Sequence, residues 1–148
     1  MNQTDKKILN EIQKEFPVSK FPYKTIGQKL GLTEQKVFNT VIKLKKQGMI
    51  RRIGAFFDKK KLNYASALIA LKVEDKNVHK VAKIVNSYPE ITHNYLRKDE
   101  YNIWFTCIAS STNDIKKIIN SIQTKGKIKE TLFLPAKKTF KLSAIFKV

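Results

Sequence analysis

The side chains best suited to chemistry lie close together in residues 91–105, a stretch whose pattern is otherwise typical of a β-hairpin. Successive side chains of a strand point to opposite faces, so His93, Tyr95 and Arg97 are predicted to project from one face. An imidazole, a phenol and a guanidinium on one face could together bind an anionic substrate and protonate it. The hairpin is therefore the first candidate site, with a purely structural, hydrogen-bonded histidine as the alternative for His93.

Arginine is rare in this chain, which carries its positive charge mainly on lysine. There are 27 lysines and only three arginines, Arg51, Arg52 and Arg97. A guanidinium binds carboxylates and phosphates in a bidentate geometry that lysine cannot match, so the three are candidate anion-binding residues. On a strand, Arg51 and Arg52 would point to opposite faces, and at most one would easily join a given site. A surface pair, or phosphate contacts, is the alternative for these two.

Composition sets the outer limits on the fold. The 148 residues, 42% of them hydrophobic, suffice for one folded domain or for two small ones. A single cysteine, Cys107, excludes an internal disulfide and a cysteine-based zinc site. No apolar run approaches the roughly 20 residues that span a bilayer, and the first residues lack the features of a signal peptide. We expect a cytoplasmic protein without a membrane partner.

The formal net charge of +18 favours anionic partners such as nucleic acid or a polyacidic small molecule. Residues 1–62 contain 15 basic and 5 acidic residues, and residues 63–148 contain 15 and 7. A DNA-binding protein usually concentrates its basic residues on one docking element, whereas this chain spreads them. Lysine-rich, solvated surfaces are the simpler explanation of the charge, and non-specific binding of nucleic acid is compatible with it.

Residues 1–62 are predicted to form a winged helix-turn-helix domain. The first helix is expected to begin at Thr4, and the second to cover 23–30 and end at Gly31. Thr33 is the predicted cap of a third helix, 34–47, after which 49–57 would form a wing strand.

The third helix would be the one that reads DNA. Its predicted outward residues form a thin set without arginine: Glu34, Gln35, Asn39, Thr40 and Lys43. A helix-turn-helix retained as a scaffold therefore competes with a DNA-binding one.

Residues 63–148 are predicted to form a second domain with the order βαββαβ, an α+β ferredoxin-like fold. The elements are a strand at 64–73, a helix at 77–88, the hairpin, a helix opened by Ser111 with Asp114, and an extended region from 128 to 146. On the returning strand of the hairpin, Tyr101 and Trp104 are expected on opposite faces. Both faces of the first and third strands are apolar, and helices can cover only one, so a dimer through the other face is expected.

The order of these elements resembles the Lrp/AsnC family of transcription regulators over essentially the whole chain. Residues 51–58 (Arg-Arg-Ile-Gly-Ala-Phe-Phe-Asp), 92–97 (Thr-His-Asn-Tyr-Leu-Arg) and 100–106 (Glu-Tyr-Asn-Ile-Trp-Phe-Thr) are more specifically similar to the sirohaem (siroheme) decarboxylases of the alternative heme pathway. This resemblance implies conversion of siroheme to didecarboxysiroheme by loss of carbon dioxide from two acetate side chains. It also implies a dimer of two related subunits, either identical or different, or a fused repeat.

The resemblance gives each candidate residue a role. His93 would be either the proton donor or an axial ligand of the siroheme iron, since one imidazole cannot be both at once. Tyr95 would donate a proton or orient the reacting group. The carboxylates of siroheme would be held by Arg51, Arg52 and Arg97, and the macrocycle would lie against Tyr101 and Trp104. No cofactor is implied beyond the iron-containing tetrapyrrole substrate.

Two further functional classes remain open on the sequence. One is a DNA-binding regulator of the Lrp/AsnC type that senses a small molecule. The other is a non-catalytic subunit that binds heme or regulates a partner. His79, the other histidine, is expected to be exposed and to take no part in the site.

Overall fold

The computed structural model of the chain describes residues 1–59, 61–141 and 144–148. It divides into two compact units, Met1–Ala55 with Lys141–Val148, and Phe56–Phe140. The compact units differ from the predicted domains in that the C-terminal residues 141–148 belong to the first unit. The division into functional domains at 1–62 and 63–148 stays a prediction.

Three helices build the first unit: α1 (Gln3–Ile12), α2 (Pro22–Leu30) and α3 (Glu34–Lys46). We had predicted that α1 begins at Thr4, but its cap is Asn2, two residues earlier, because a reciprocal pair of hydrogen bonds forms there. The side chain of Asn2 accepts from the backbone N–H of Asp5 at 2.8 Å, and the Asp5 carboxylate accepts from the N–H of Asn2 at 3.2 Å. The caps at the other end of the motif are as predicted: Gly31 ends α2 and Thr33 begins α3.

A tight turn brings α2 and α3 together. Gly31 has a φ of 66°, which favours glycine, and the N–H of Leu32 donates to the carbonyl of Gly27 at 2.8 Å. A Cβ at Gly27 would lie 2.5 Å from the Leu32 carbonyl oxygen, so the turn requires glycine there. The helices enclose a small apolar core of Ile8, Ile26, Val37, Val41, Leu44 and Ile50.

The predicted wing strand at 49–57 is wrong. The N–H groups of Met49 and Ile50 donate back to the carbonyl of Leu44, ending α3. Residues 51–57 then run on without adopting a strand, and the strands of the described residues are all in the second unit. Arg51 and Arg52 therefore lie in an exposed segment without the alternation of a strand.

The second unit has the predicted order βαββαβ. Its elements are β1 (Ala65–Leu71), α4 (Val78–Asn86, after a short 3₁₀ turn), β2 (Ile91–Leu96), β3 (Ile103–Ala109), α5 (Thr112–Gly126) and β4 (Thr131–Pro135). The four strands form an antiparallel sheet in the order β2-β3-β1-β4. Strand β4 ends at Pro135, so the extended region predicted for 128–146 is mostly not a strand, and its residues 142 and 143 lie outside the described residues.

Both helices of this unit pack on one face of the sheet. Val81 and Val85 of α4 and Ile115, Ile119 and Ile122 of α5 form a single core with Ile69, Phe105 and Cys107 of the central strands. The opposite face, here called the open face, carries Leu68 and Leu134 as exposed residues together with Trp104 and Ile108. Within residues 56–59 and 61–140, no helix packs on the open face. Among the residues that the structure describes, no helix is long and apolar enough to span a membrane.

Candidate functional site

A β-bulge decides which way the candidate residues of β2 point. Ile91 pairs with Cys107 and His93 pairs with Thr106, so three residues of β2 face two of β3. The bulge places half-buried Ile91 on the helix side of the sheet and turns His93 to the open face. Tyr95, which pairs with Trp104, points to the same face. The shared face predicted for His93 and Tyr95 is therefore correct, although simple alternation would have put Ile91 there as well.

The rings of His93 and Tyr95 stack on each other. Their centroids are 6.2 Å apart and their planes differ by 16°. Nδ1 of His93 is 3.0 Å from the hydroxyl of Thr92, and within the described residues Nε2 has no partner. Both rings are exposed, Tyr95 at 58%, so a ligand can reach them from the open face.

Arg97 and Trp104 form a second pair beside the first. The guanidinium of Arg97 lies 5.1 Å from the centroid of the indole, a cation–π contact that lets a planar cation keep its donors available. The indole N–H donates to the carbonyl of Tyr101 at 2.5 Å. Tyr101 is half-buried in the turn before β3, so it is not on the strand face predicted for it. The hairpin thus brings a guanidinium and three aromatic rings close to the turn, with the imidazole beside them.

Sequence reasoning missed Asn102, which holds this turn. It is buried, and its side chain pairs with both backbone groups of Val73. Lys72 also joins the turn to the sheet, because its ammonium binds the carboxylates of Glu100 and Glu130 and its pKa is raised by those two contacts. The sequence signal that could have indicated this role is a polar asparagine placed immediately before the apolar strand β3.

Arg51 and Arg52 belong to the first unit, whereas Arg97, Tyr101 and Trp104 belong to the second. A shared role for the three arginines in one site stays a prediction.

The hairpin site is a surface and not an enclosed pocket. An open groove of about 470 Å³ lies elsewhere in the second unit, lined by residues that include Tyr64, Glu90, Asp114 and Lys117. Cys107 is buried in the core, and this burial raises the pKa of its thiol to about 11, so it is an unreactive thiol at neutral pH. Within the ranges 1–59, 61–141 and 144–148, no three His, Cys, Asp or Glu residues are grouped so that they could hold a metal ion.

The helix expected to read DNA offers fewer contacts than its sequence predicted. Thr40 is buried, contrary to prediction, because it lies on the same side of α3 as the buried Val37, Val41 and Leu44. Lys43 lies 2.6 Å from the Asp5 carboxylate, and this hydrogen bond lowers the pKa of Asp5. The face instead exposes two apolar side chains, Phe38 and Ile42. His79, as expected, is exposed.

Comparison with known proteins agrees with the motifs. Residues 5–51 match the family model of the siroheme decarboxylase NirDL-like HTH domain, and residues 61–141 match that of the AsnC-like ligand binding domain. The siroheme decarboxylase alpha subunit of Desulfovibrio desulfuricans is 42% identical over 148 residues, which cover 100% of this chain and 85% of that protein. The chain belongs to the siroheme decarboxylase family.

Solved structures place this family member among Lrp/AsnC folds. A crystal structure of the siroheme decarboxylase NirDL with an iron-uroporphyrin III analogue is 36% identical, with a TM-score of 0.67 over 90% of this chain and 44% of that chain. This member thus spans less than half of NirDL. The AsnC protein of E. coli has a TM-score of 0.81 at 21% identity, covering 98% of this chain and 97% of that chain. The α+β fold and the family resemblance predicted from the sequence are confirmed.

Proposed function

We propose that this chain is a subunit of a cytoplasmic siroheme decarboxylase, a carboxy-lyase that removes carbon dioxide from two acetate side chains of siroheme to give didecarboxysiroheme. The observation that carries the proposal is the 42% identity with the Desulfovibrio desulfuricans siroheme decarboxylase alpha subunit along the entire chain. The hairpin supports it independently, because its side chains suit a flat, polyanionic ligand.

Substrate binding is the first task of the proposed site. Siroheme is a planar macrocycle bordered by carboxylates, so it needs cations at its edge and apolar surfaces on its faces. Arg97 supplies a guanidinium that the indole of Trp104 already orders, which reduces the entropy lost when a carboxylate binds. Tyr101 and Trp104 would contact the ring, and Arg51 and Arg52 would bind further carboxylates.

The reaction breaks the bond between an acetate methylene carbon and its carboxylate. Carbon dioxide leaves, the bonding electrons pass into the conjugated macrocycle, and one proton must then reach the methylene carbon to complete a methyl group. His93 and Tyr95 are the candidate donors, since both lie on the open face and their rings are in contact. The step consumes a proton and requires no oxidant.

His93 has a second candidate role as a ligand of the iron in the substrate. An exposed imidazole whose Nδ1 is hydrogen-bonded has Nε2 available for either task. Tyr95 would then be the proton donor.

The proposed enzyme works as a dimer, either of this chain or with a related subunit. The part of the open face around Leu68 and Leu134, on β1 and β4, would be the contact surface, and the site residues of β2 would lie at its margin. NirDL, more than twice the matched length, is consistent with two such units in one chain.

Anaerobic incubation of the purified chain with siroheme, followed by mass spectrometry of the tetrapyrrole, tests the proposal. We expect a product lighter by two molecules of carbon dioxide. The boiled chain is the control for spontaneous loss. Siroheme that stays intact with the chain alone and with each co-expressed related subunit would contradict the proposed activity.

A further inference from the structure

Asn102 is the one described residue of the 56–140 unit that is both polar and buried, with 7% of its surface exposed. Its amide donates from Nδ2 to the carbonyl of Val73 at 2.6 Å, and Oδ1 accepts from the N–H of Val73 at 3.1 Å. Its backbone N–H donates to Leu71 at 3.0 Å, and its carbonyl accepts from the N–H of Arg97 at 2.8 Å. Each of these polar groups therefore has a partner, as a buried asparagine requires.

The side chain of Asn102 occupies a place in the sheet that a peptide group would otherwise hold. The pairing of β1 with β3 ends at Leu71 and Ile103, and continuing it would set Val73 opposite Tyr101. A carboxamide presents the same donor and acceptor as a peptide, so Asn102 pairs with Val73 instead. Tyr101 is thereby released from the sheet, and its carbonyl accepts the indole N–H of Trp104.

Both members of the cation–π pair, Arg97 and Trp104, depend on this arrangement. Arg97 follows the last residue of β2, and its backbone is held by the carbonyl of Asn102. Trp104 is held through the Tyr101 carbonyl, whose position follows from the Asn102–Val73 pairing. Asn102 is thus connected to the guanidinium and to the indole without contacting the open face itself.

We propose that Asn102 is a positioning residue of the site, which holds Arg97 and Trp104 in the arrangement that receives a carboxylate-bearing macrocycle. This inference rests on the proposed siroheme decarboxylase function. Its chemical basis is preorganisation: an arginine already in place binds a carboxylate without first losing the freedom of the turn.

Trp104 is the only tryptophan in the chain, so its fluorescence reports on the turn in the absence of any substrate. In Asn102→Ala we expect its emission to shift to longer wavelength and its quenching by acrylamide to increase. We expect the KM for siroheme to rise roughly 10- to 100-fold, the effect of a misplaced binding group, with kcat changed less than about threefold. Kinetics are measured in the assembly in which the wild-type chain is active.

Asn94→Ala is the matched control. Asn94 lies in the same hairpin, but its amide donates to Asn86 on α4 at 2.9 Å and does not reach the turn. We expect emission, quenching and KM to match those of the wild type. Equal changes in both variants would show general loosening of the hairpin and would overturn the positioning role.

The Asn102→Asp variant tests the same role and remains informative even if Asn102→Ala folds poorly. Its carboxylate can still accept from the Val73 N–H but cannot donate to the Val73 carbonyl, whereas the protonated acid can. The Trp104 emission of this variant should therefore return towards that of the wild type as the pH is lowered, while wild-type emission stays constant over the same range. Emission independent of pH in Asn102→Asp, or wild-type emission and quenching in Asn102→Ala, would overturn the proposal.

The two proposals fail in different ways. The fluorescence measurements need no substrate and test only whether Asn102 holds the turn. If the wild-type chain does not convert siroheme, the proposed enzyme function fails, but the structural role of Asn102 can still be tested.

Discussion

At His93, local contacts leave one ring nitrogen available for chemistry. The Thr92 hydroxyl lies 3.0 Å from Nδ1, and the ring stacks on Tyr95. As a proton donor, His93 would be an imidazolium with a hydrogen on each nitrogen, and Nε2 would give up its hydrogen. As an iron ligand, it would be a neutral imidazole with its hydrogen on Nδ1 and a lone pair on Nε2. In both roles Nδ1 would donate to the Thr92 hydroxyl, so the two roles differ in the protonation of Nε2.

Replacing His93 tests the centre of the proposed site. We expect His93→Ala to fold normally, because the ring is exposed, and to lose roughly 100- to 10,000-fold in decarboxylation rate, the usual cost of removing a positioned general acid. The measurement is turnover of siroheme, with any partner subunit that the wild type needs. His79→Ala, which removes the other exposed histidine, is the control and should retain full activity.

The absorption spectrum of bound siroheme separates the two roles in the same variant. Lost turnover with an unchanged spectrum would identify a proton donor, and a changed spectrum would identify an iron ligand. Retention of both turnover and spectrum would make His93 a structural residue.

Among the elements, α5 shows how a helix end can make stability depend on pH. Ser111 caps the helix as predicted, accepting from the N–H of Asp114 at 3.1 Å. The Asp114 carboxylate accepts from the hydroxyls of Ser110 and Ser111, each at 2.7 Å, and from Lys117 at 3.2 Å. These contacts lower the pKa of Asp114 to about 2 from an ordinary value of 3.8.

The lowered pKa of Asp114 predicts a loss of stability in acid. Between pH 3.8 and about 2 the unfolded chain takes up a proton at Asp114 whereas the folded chain does not, so stability falls as the pH falls through this range. We expect Asp114→Asn to melt at a lower temperature than the wild type at neutral pH. The difference between the two should narrow towards pH 2, as measured by circular dichroism. A constant difference across this range would contradict the role given to the carboxylate.

Helix α3 keeps the position of a DNA-reading helix but exposes little that could read bases. Lys43 is paired with Asp5, Thr40 is buried, and Gln35 and Asn39 are hydrogen-bonded to each other at 2.9 Å. The remaining attraction for DNA is the diffuse charge of the chain.

DNA binding should accordingly be weak, non-specific and steeply dependent on salt, as expected for a protein with a net charge of +18. Titration of unrelated duplexes by fluorescence anisotropy at several salt concentrations measures this. A footprint at one defined sequence that persists at roughly 200 mM salt would instead support a transcription regulator.

At the scale of the whole molecule, the feature that calls for a partner is the open face of the sheet, which exposes apolar side chains. Leu68 on β1 and Leu134 on the edge strand β4 lie opposite each other on it, 39% and 44% exposed, and Ile108 lies on the neighbouring strand β3. An apolar sheet face favours association, and two copies, or two related subunits, can cover each other's faces.

A charge at the centre of this face should therefore disrupt the dimer. We expect Leu68→Glu to weaken association roughly 10- to 100-fold, because burial of one leucine contributes about 1.5–3 kcal/mol. Sedimentation at micromolar concentration, alone and with a related subunit, measures the change. Leu62→Glu is the control, since Leu62 is exposed but lies outside the sheet. A wild-type chain that is monomeric under both conditions would count against the dimer.

Features set by neighbours along the chain could be predicted from the sequence. The caps Thr33 and Ser111, the stop at Gly31, the order βαββαβ and the shared face of His93 and Tyr95 all depend on periodicity or on contacts within a few residues.

Features set by residues distant in sequence required the tertiary structure. Thr40 is buried on the side of α3 that packs in the first unit, and residues 49–57 do not form the predicted wing strand, because both outcomes depend on contacts with other parts of the chain. The bulge before His93 follows from pairing with β3, and Asn102 holds its turn by bonding to Val73, 29 residues earlier. The sequence alone determined which side chains could serve the site. Their final arrangement depends on hydrogen bonds between distant segments, which form only when the sheet assembles.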